Sequence, residues 1–159
     1  MLNKKKSYSK PSIICKNKKA YYNFFIKEVF QSGLVLMGWE AKSIRMGRIN
    51  ISESYINNDH LNEIYLYNSL IQPLNTSSNH IFCDSSRKRK LLLHKNEIQY
   101  LSNKKNKTGY TLIALSLFWE KSWCKLSFGL AQGKNKFDKR EEKKKNEWEK
   151  TKLKILKKT

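Results

Sequence analysis

The sequence predicts a mainly β protein: a small antiparallel barrel carrying short helices, with a basic carboxy-terminal tail that is disordered alone. Three observations carry this. Two long apolar, β-prone runs, residues 110–119 and 123–131, are separated only by Glu120-Lys121-Ser122, short enough for a hairpin. Helical patterns fall between strands without alternating regularly with them, unlike a βαβ succession. Residues 133–159 hold twelve Lys and Arg, five acids and only five apolar side chains. That is too little apolar surface to bury a helix against its own chain.

The elements follow in order. Residues 1–16 read as a flexible basic arm. From Tyr21 the chain turns aromatic and β-prone (Tyr21, Tyr22, Phe24, Phe25, Ile26, Val29, Phe30), which predicts a long first strand ending at Ser32-Gly33. Leu34, Met37, Ala41 and Ile44 then recur at helical spacing up to Gly47. Ile49, Ile51 and Tyr55 suggest a strand, Asn57-Asn58-Asp59 a turn, and Ile64, Leu66 and Leu70 a strand that Pro73 ends. Residues 75–79 are a polar loop. After the basic run at 87–90, residues 91–93 are apolar and 94–102 read as a helix with Ile98, Tyr100 and Leu101 inward. A second basic turn closes at Gly109, and the hairpin strands follow. About six strands and two short helices within roughly 110 residues fit a barrel of the oligonucleotide-binding kind. A split ferredoxin-like sheet is the alternative. The resulting division is an arm over 1–16, a barrel over 17–132 and a tail over 133–159.

Charge sharpens the division. The chain of 159 residues carries a net charge of +20. Residues 1–19 contribute seven Lys and no acid, and residues 132–159 contribute twelve bases and five acids. A folded body with two basic flanks has nucleic acid as its natural counter-ion. Within the tail, Glu141 and Lys145, Lys143 and Glu147, and Lys145 and Glu149 are each four residues apart, so they would meet on a helix surface. Such a segment is expected to become helical against a polyanion. Trp148, Lys152, Ile155 and Leu156 would share one face of that helix.

Catalytic patterns are lacking. His60, His80 and His94 sit in no metalloprotease or nucleophile motif, and Glu28, Glu40, Glu53 and Glu63 read as surface carboxylates. His80, Cys83 and Asp84 lack the second ligand pair a metal site needs, so no metal and no cofactor is expected. Residues 129–134 resemble a phosphate loop but are one residue short of G-x-x-x-x-G-K, with Asn135 where Ser or Thr should stand. Three widely spaced cysteines suggest a reducing compartment, and no apolar run approaches a membrane span. A transit peptide would favour Arg over Lys at the amino terminus. The expectation is a cytoplasmic protein that is no enzyme and binds no membrane. The run Arg87, Lys88, Arg89 and Lys90 reads as a solvated loop, a nuclear import signal or, next to a β-rich aromatic body, a phosphate-contacting edge of the barrel. Tyr22, Tyr55 and Tyr110 are either stacking residues or core.

Several ordered blocks are more specific. They are N-K-K-A at 17–20, G-W-E-A-K-S-I-R at 38–45, S-E-S-Y at 52–55 and R-K-R-K-L-L-L-H-K-N-E-I at 87–98. They continue with G-Y-T-L-I-A-L-S-L-F-W at 109–119, W-C-K-L at 123–126 and G-K-N-K-F-D-K-R at 133–140. Together they resemble the family of SsrA-binding protein, small protein B, of bacterial trans-translation. The resemblance implies a barrel that grips the tRNA-like domain of tmRNA. It also implies a monomer in a complex that enters the decoding centre of a stalled 70S ribosome, the tail lying as a helix in the empty mRNA channel. On the RNA side it implies roles for Gln31, at a position that is usually Glu in the family, and for Leu92, His94 and Lys125 beside the basic run. On the ribosome side it implies roles for Lys134, Lys136, Phe137, Asp138, Lys139, Arg140, Trp148, Ile155 and Leu156. The rival reading is a nonspecific, ribosome-associated RNA-binding barrel; a nuclease is a more distant one.

Overall fold

A computed structural model describes residues 12–59, 61, 63–74, 83–106 and 109–156. In chain order the elements are β1 (Ser12–Lys16), α1 (Lys18–Asn23), β2 (Phe24–Leu34), α2 (Gly38–Arg45), β3 (Ile49–Asn50), β4 (Tyr55–Asn58), β5 (Ile64–Tyr67) and β6 (Leu70–Ile71). They continue with β7 (Arg89–Leu92), α3 (Lys95–Lys105), β8 (Tyr110–Glu120), β9 (Trp123–Gly133) and α4 (Lys136–Leu156).

The strands close on themselves. Pairing runs β8-β4-β5-β7-β2-β9, and β9 returns to β8, with every ladder antiparallel. β1 adds to β8 beside β4, and β3 with β6 forms a small separate ribbon. Closure pairs β9 on both sides along its length, with β8 on one and β2 on the other, while β2 meets β7 only at Gly33 and Leu34.

The barrel interior follows the period-2 rule for strands. Leu112, Ala114 and Leu117 from β8 meet Leu126, Phe128 and Leu130 from β9, with Ile56, Ile64, Leu66 and Leu91 from the shorter strands. Ile44 of α2 and Leu101 of α3 complete this core. Bulges in the ladders of β9 break the expected alternation. Lys27 is skipped in the β2–β9 register, and Leu115 in the β8–β9 register. Each bulge reverses inside and outside for the rest of its strand. Ile26 lies outside for this reason, and Ile113 and Leu115 by plain alternation with Leu112 and Ala114; Ala20 of α1 and Ala131 cover them as a second apolar cluster.

Several sequence expectations are corrected. Residues 18–23 form a helix and not the start of the first strand, because Asn17 caps it. The Asn17 Oδ1 accepts from the Ala20 N–H at 3.1 Å, and its Nδ2 donates to Ile51 O at 3.1 Å and Ala114 O at 3.0 Å. That one buried amide ties helix, loop and barrel together. Within the arm expected over 1–16, residues 12–16 form β1, because they complete a ladder on β8. Asn57 and Asn58 continue β4 rather than turning. Residues 129–133 lie in β9, and a Cβ on Gly129 would come within 2.8 Å of Ile26 Cγ2. That glycine serves packing, not a phosphate. Glu40 is no surface carboxylate: it is fully buried. The polar loop over 75–79, together with His60 and His80, lies outside the described residues.

Candidate nucleic-acid interface

Cross-strand neighbours in a sheet share a face, so the register alone assembles a surface. Lys125 pairs with Gly33, and Gly33 pairs with Leu92, giving a row across β9, β2 and β7. On the other side Lys125 pairs with Phe118, and Phe118 with Ile13 of β1. A second, polar row runs from Lys16 through Ser116 and Ser127 to Gln31. Gln31, Leu92 and Lys125, far apart in sequence, thus gather on one outer patch. Leu92 is 53 % exposed, an unusual state for a leucine in a strand. Its side chain lies over Gly33, where a Cβ would stand only 3.2 Å from Leu92 Cδ1. His94 is exposed and starts α3, with the Glu97 carboxylate accepting from the His94 N–H at 2.8 Å.

The basic run splits by strand alternation. Lys88 and Lys90 point outward with Leu92, and Arg89 points inward with Leu91. Arg89 is fully buried. Its Nε donates to Glu40 Oε1 at 2.9 Å and its Nη1 to Ser69 O and Oγ at 2.6 and 2.7 Å. Nη2 donates to Ser85 O at 3.0 Å. Arg87 completes the cluster through Nε and Nη2 to both Glu40 oxygens, at 2.9 and 2.5 Å. Burial pushes the Glu40 carboxyl up, but the hydrogen bonds from Arg87 and the Met37 N–H and the charge of Arg89 outweigh it, leaving it below its ordinary value. Arg89 is therefore corrected from RNA contact to core residue, since no phosphate reaches a guanidinium with no exposed surface. Arg87 spends its guanidinium largely on Glu40.

The outward lysines are paired too. Lys88 meets Asp59 at 2.5 Å and stands 4.6 Å from the Tyr65 ring centre. Lys90 pairs with Glu63, and Lys125 with Glu120. The Lys88 and Lys90 ammonium groups are raised above their ordinary value by these carboxylates. Such exposed pairs are screened by solvent and contribute little to stability. A phosphate can displace the carboxylates, so they orient the cations without neutralising the site. Tyr22 and Tyr55 are exposed, Tyr55 stacking on Tyr67 at 5.5 Å, while Tyr110 packs against the core. Sequence reasoning missed Lys16, Ile13 and Gly33; only the register places them on this face.

The tail is a helix over Lys136–Leu156 with no buried residue. At 100° per residue, Phe137, Trp148 and Ile155 fall within about 20° of one another, and Lys152 and Leu156 lie to one side of them, at about 60° and 100°. All three aromatic and aliphatic side chains are more than half exposed. Asp138, in the first turn, accepts from the Asn135 N–H at 3.1 Å and so caps the start of the helix, while Lys136 and Arg140 are exposed beside it. Lys139 is partly covered. Lys134 departs from its expected role as a ribosome contact: its side chain is only 6 % exposed.

No group of His, Cys, Asp and Glu among the described residues could hold a metal ion. No helix among them is long and apolar enough to cross a membrane. Asp84 accepts from Ser86, not from a metal-like neighbour set.

Comparison with known proteins bears on the whole of this surface. The model of the SmpB protein family matches residues 14–158. SsrA-binding protein of Buchnera aphidicola subsp. Schizaphis graminum is 79% identical over 155 residues, covering 98% of this chain and 95% of that protein. The SsrA-binding protein of Buchnera aphidicola subsp. Baizongia pistaciae is 49% identical over 154 residues, 97% of each. A solved chain, from a structure described as tmRNA-SmpB on a journey to the center of the bacterial ribosome, is 36% identical with a TM-score of 0.63. It covers 77% of this chain, and this chain covers 85% of it.

Proposed function

The chain belongs to the SmpB protein family, and from that premise we propose that it binds the tRNA-like domain of tmRNA and delivers it to stalled ribosomes for trans-translation. The family is one of RNA-binding proteins and not of enzymes. We propose further that the tail reads the empty mRNA channel as a helix. The observation that carries the RNA reading is the row Lys125, Gly33 and Leu92, with Gln31 in the neighbouring row, on one outer face of a closed barrel.

Each side chain has a physical task there. Lys125, Lys88 and Lys90 attract the phosphate backbone. Leu92, with nothing standing at Gly33 to block it, offers an apolar surface against a base or ribose. Gln31 can donate and accept, so it can bond a base edge or a 2′-hydroxyl without bringing a charge. A carboxylate there accepts only, and it repels phosphate. His94 extends the face at the start of α3.

The tail acts separately. Lys136, Asp138, Lys139 and Arg140 supply charge near its base, and Phe137, Trp148, Ile155 and Leu156 supply an apolar stripe. Cations draw the helix along ribosomal RNA, and the stripe gives it a preferred face. Localisation in the cytoplasm follows from this reading.

Competition binding at physiological salt tests it. A transcript of the tRNA-like domain should displace the protein from generic structured RNA at a far lower concentration than the reverse. Equal affinity for both would favour the nonspecific barrel instead.

A further inference from the structure

We infer that Trp123 is a specificity-determining residue of the RNA face, the platform on which an unpaired base of the tRNA-like domain stacks. That role rests on the RNA reading above and names the part of the ligand this end of the face takes. Lys125 and Trp123 are two residues apart on β9, and Cys124 between them is only 6 % exposed. Strand alternation turns Cys124 inward and sets the indole on the outer side with Lys125. The β8–β9 register runs unbroken from Phe118–Lys125 through Trp119–Cys124 to Glu120–Trp123, so no bulge reverses that order. Trp123 is 71 % exposed. Glu120, directly opposite it, pairs with Lys125 and so holds the ammonium beside the indole.

An indole this open serves no packing role. The other two tryptophans of the barrel, Trp39 and Trp119, pack against the core, and Arg45 stands 5.3 Å from the Trp119 ring. Among the described residues neither the ring nor the N–H of Trp123 has a partner. The hairpin nevertheless holds its backbone firmly. Glu120 and Trp123 are the last pair, leaving Lys121 and Ser122 as a two-residue connection, and Lys121 takes the positive φ (55°) that such turns require. Only two side-chain torsions remain to be ordered on binding, a small entropic cost for so large a surface. Lys125 lies about 7 Å away along the strand, short enough for one nucleotide to lay its phosphate on the ammonium and its base on the ring. Across the row Val35 is exposed beyond Gly33, and its N–H donates to Lys90 O at 3.0 Å. An uncharged flat ring binds bases and not phosphates, and bases within a duplex keep their faces covered by their neighbours. Trp123 therefore separates RNA that carries open loops from plain duplex, a distinction the lysines alone do not make.

Equilibrium binding of the full chain to two probes tests this: a tRNA-like-domain transcript and a fully base-paired RNA duplex of similar length. Trp123→Ala should weaken binding of the transcript about tenfold and leave binding of the duplex within about twofold of the parent. The slope of log K against log salt should not change, because no cation is lost. Trp123→Phe, which keeps a flat ring, should recover most of the affinity. Trp123→Leu, apolar but not aromatic, should resemble Trp123→Ala. Urea midpoints of all three variants should match the parent, since so exposed a side chain adds little to the fold. Transcript binding by Trp123→Ala at parent affinity overturns the platform, as do equal losses on both probes or a Trp123→Leu protein that binds as tightly as Trp123→Phe. A parent that binds the two probes equally refutes the RNA reading and the platform with it. A parent that prefers the transcript, with Trp123→Ala unchanged, refutes the platform alone.

Discussion

Glu40 and Arg89 form an ion pair of 2.9 Å in which neither side chain reaches solvent. The pair joins α2 to the first residue of β7, and it decides how the basic run is presented. With Arg89 turned inward, Lys88 and Lys90 must turn outward, in line with Leu92. A buried charge left without its partner is far costlier than a lost surface pair. Arg89→Met and Glu40→Gln should each destabilise the fold by about 3 kcal/mol or more. Lys88→Ala and Lys90→Ala should each leave stability close to that of the parent. Urea denaturation of the four variants checks this, and an Arg89→Met protein as stable as Lys88→Ala would remove Arg89 from the core.

The same pair predicts a pH dependence. Glu40 is held below its ordinary value of 4.5. In the folded state it therefore gives up its proton more readily than in the unfolded chain. Its contribution is complete above pH 4.5 and is lost as the pH falls through the lower folded value. The stability gap between the parent and Glu40→Gln should be widest at neutral pH and shrink on acidification. Denaturant midpoints at a series of pH values would show it; a gap that grows in acid has the wrong sign.

Lys125 and Leu92 flank Gly33 in one row but should contribute differently to RNA binding. Lys125→Ala removes a phosphate contact, so affinity should fall and the slope of log K against log salt should shrink by about one. Leu92→Ala removes apolar contact, so affinity should fall with the slope unchanged. Filter binding at several salt concentrations separates the two. Equal slope changes would mean that the row does not meet RNA in this orientation.

Much of this was legible in the sequence, and the failures have physical reasons. The β8–β9 hairpin and α3 follow from apolar periodicity and a short connector. The first helix was obscured because Tyr21 and Tyr22 look β-prone, although Asn17 three residues before Ala20 is a helix-start signal. The inward turn of Arg89 was also within reach. In R-K-R-K-L-L-L, period-2 alternation puts Arg89 on the side of Leu91, and a buried arginine calls for an acid such as Glu40. The bulges at Lys27 and Leu115 carried no such signal, because nothing local marks the skipped residue. The row that joins Gln31, Leu92 and Lys125 is a property of register between distant strands, which residue types alone do not reveal.

Removing the tail should separate two tasks. A chain ending at Gly133 retains every ladder of the barrel, since Phe24 and Gly133 are the last pair. It loses Lys134, so the carbonyls of Tyr21 and Asn23 lose their donors, a cost on the order of 1 kcal/mol. The truncated protein should fold cooperatively, bind the tRNA-like domain nearly as well as the full chain, and fail to support peptide tagging. Loss of that RNA binding would contradict the division of labour.

The tail itself is a helix with nothing buried, so its stability must come from sources other than packing. Within the full chain it has two: the Asp138 acceptor on the Asn135 N–H at 3.1 Å, and the tie from Lys134 to Glu142 at 2.5 Å. The first acts within the tail, whereas the second holds the helix only while Lys134 is itself seated on α1. Pairs of Lys and Glu four residues apart add about 0.2–0.5 kcal/mol each, but the neighbouring lysines repel one another by similar amounts. Nucleation of an isolated helix is costly, and 21 residues rich in like charge barely offset it. A peptide of residues 134–159 should therefore show little helix by circular dichroism in plain buffer, and gain it on addition of a polyanion. The full chain minus the chain ending at Gly133 should give more helix per tail residue than that free peptide. Lys134→Met in the full chain should reduce the difference towards the peptide value. A free peptide already fully helical would mean that the tail needs no contact with the barrel to form its helix.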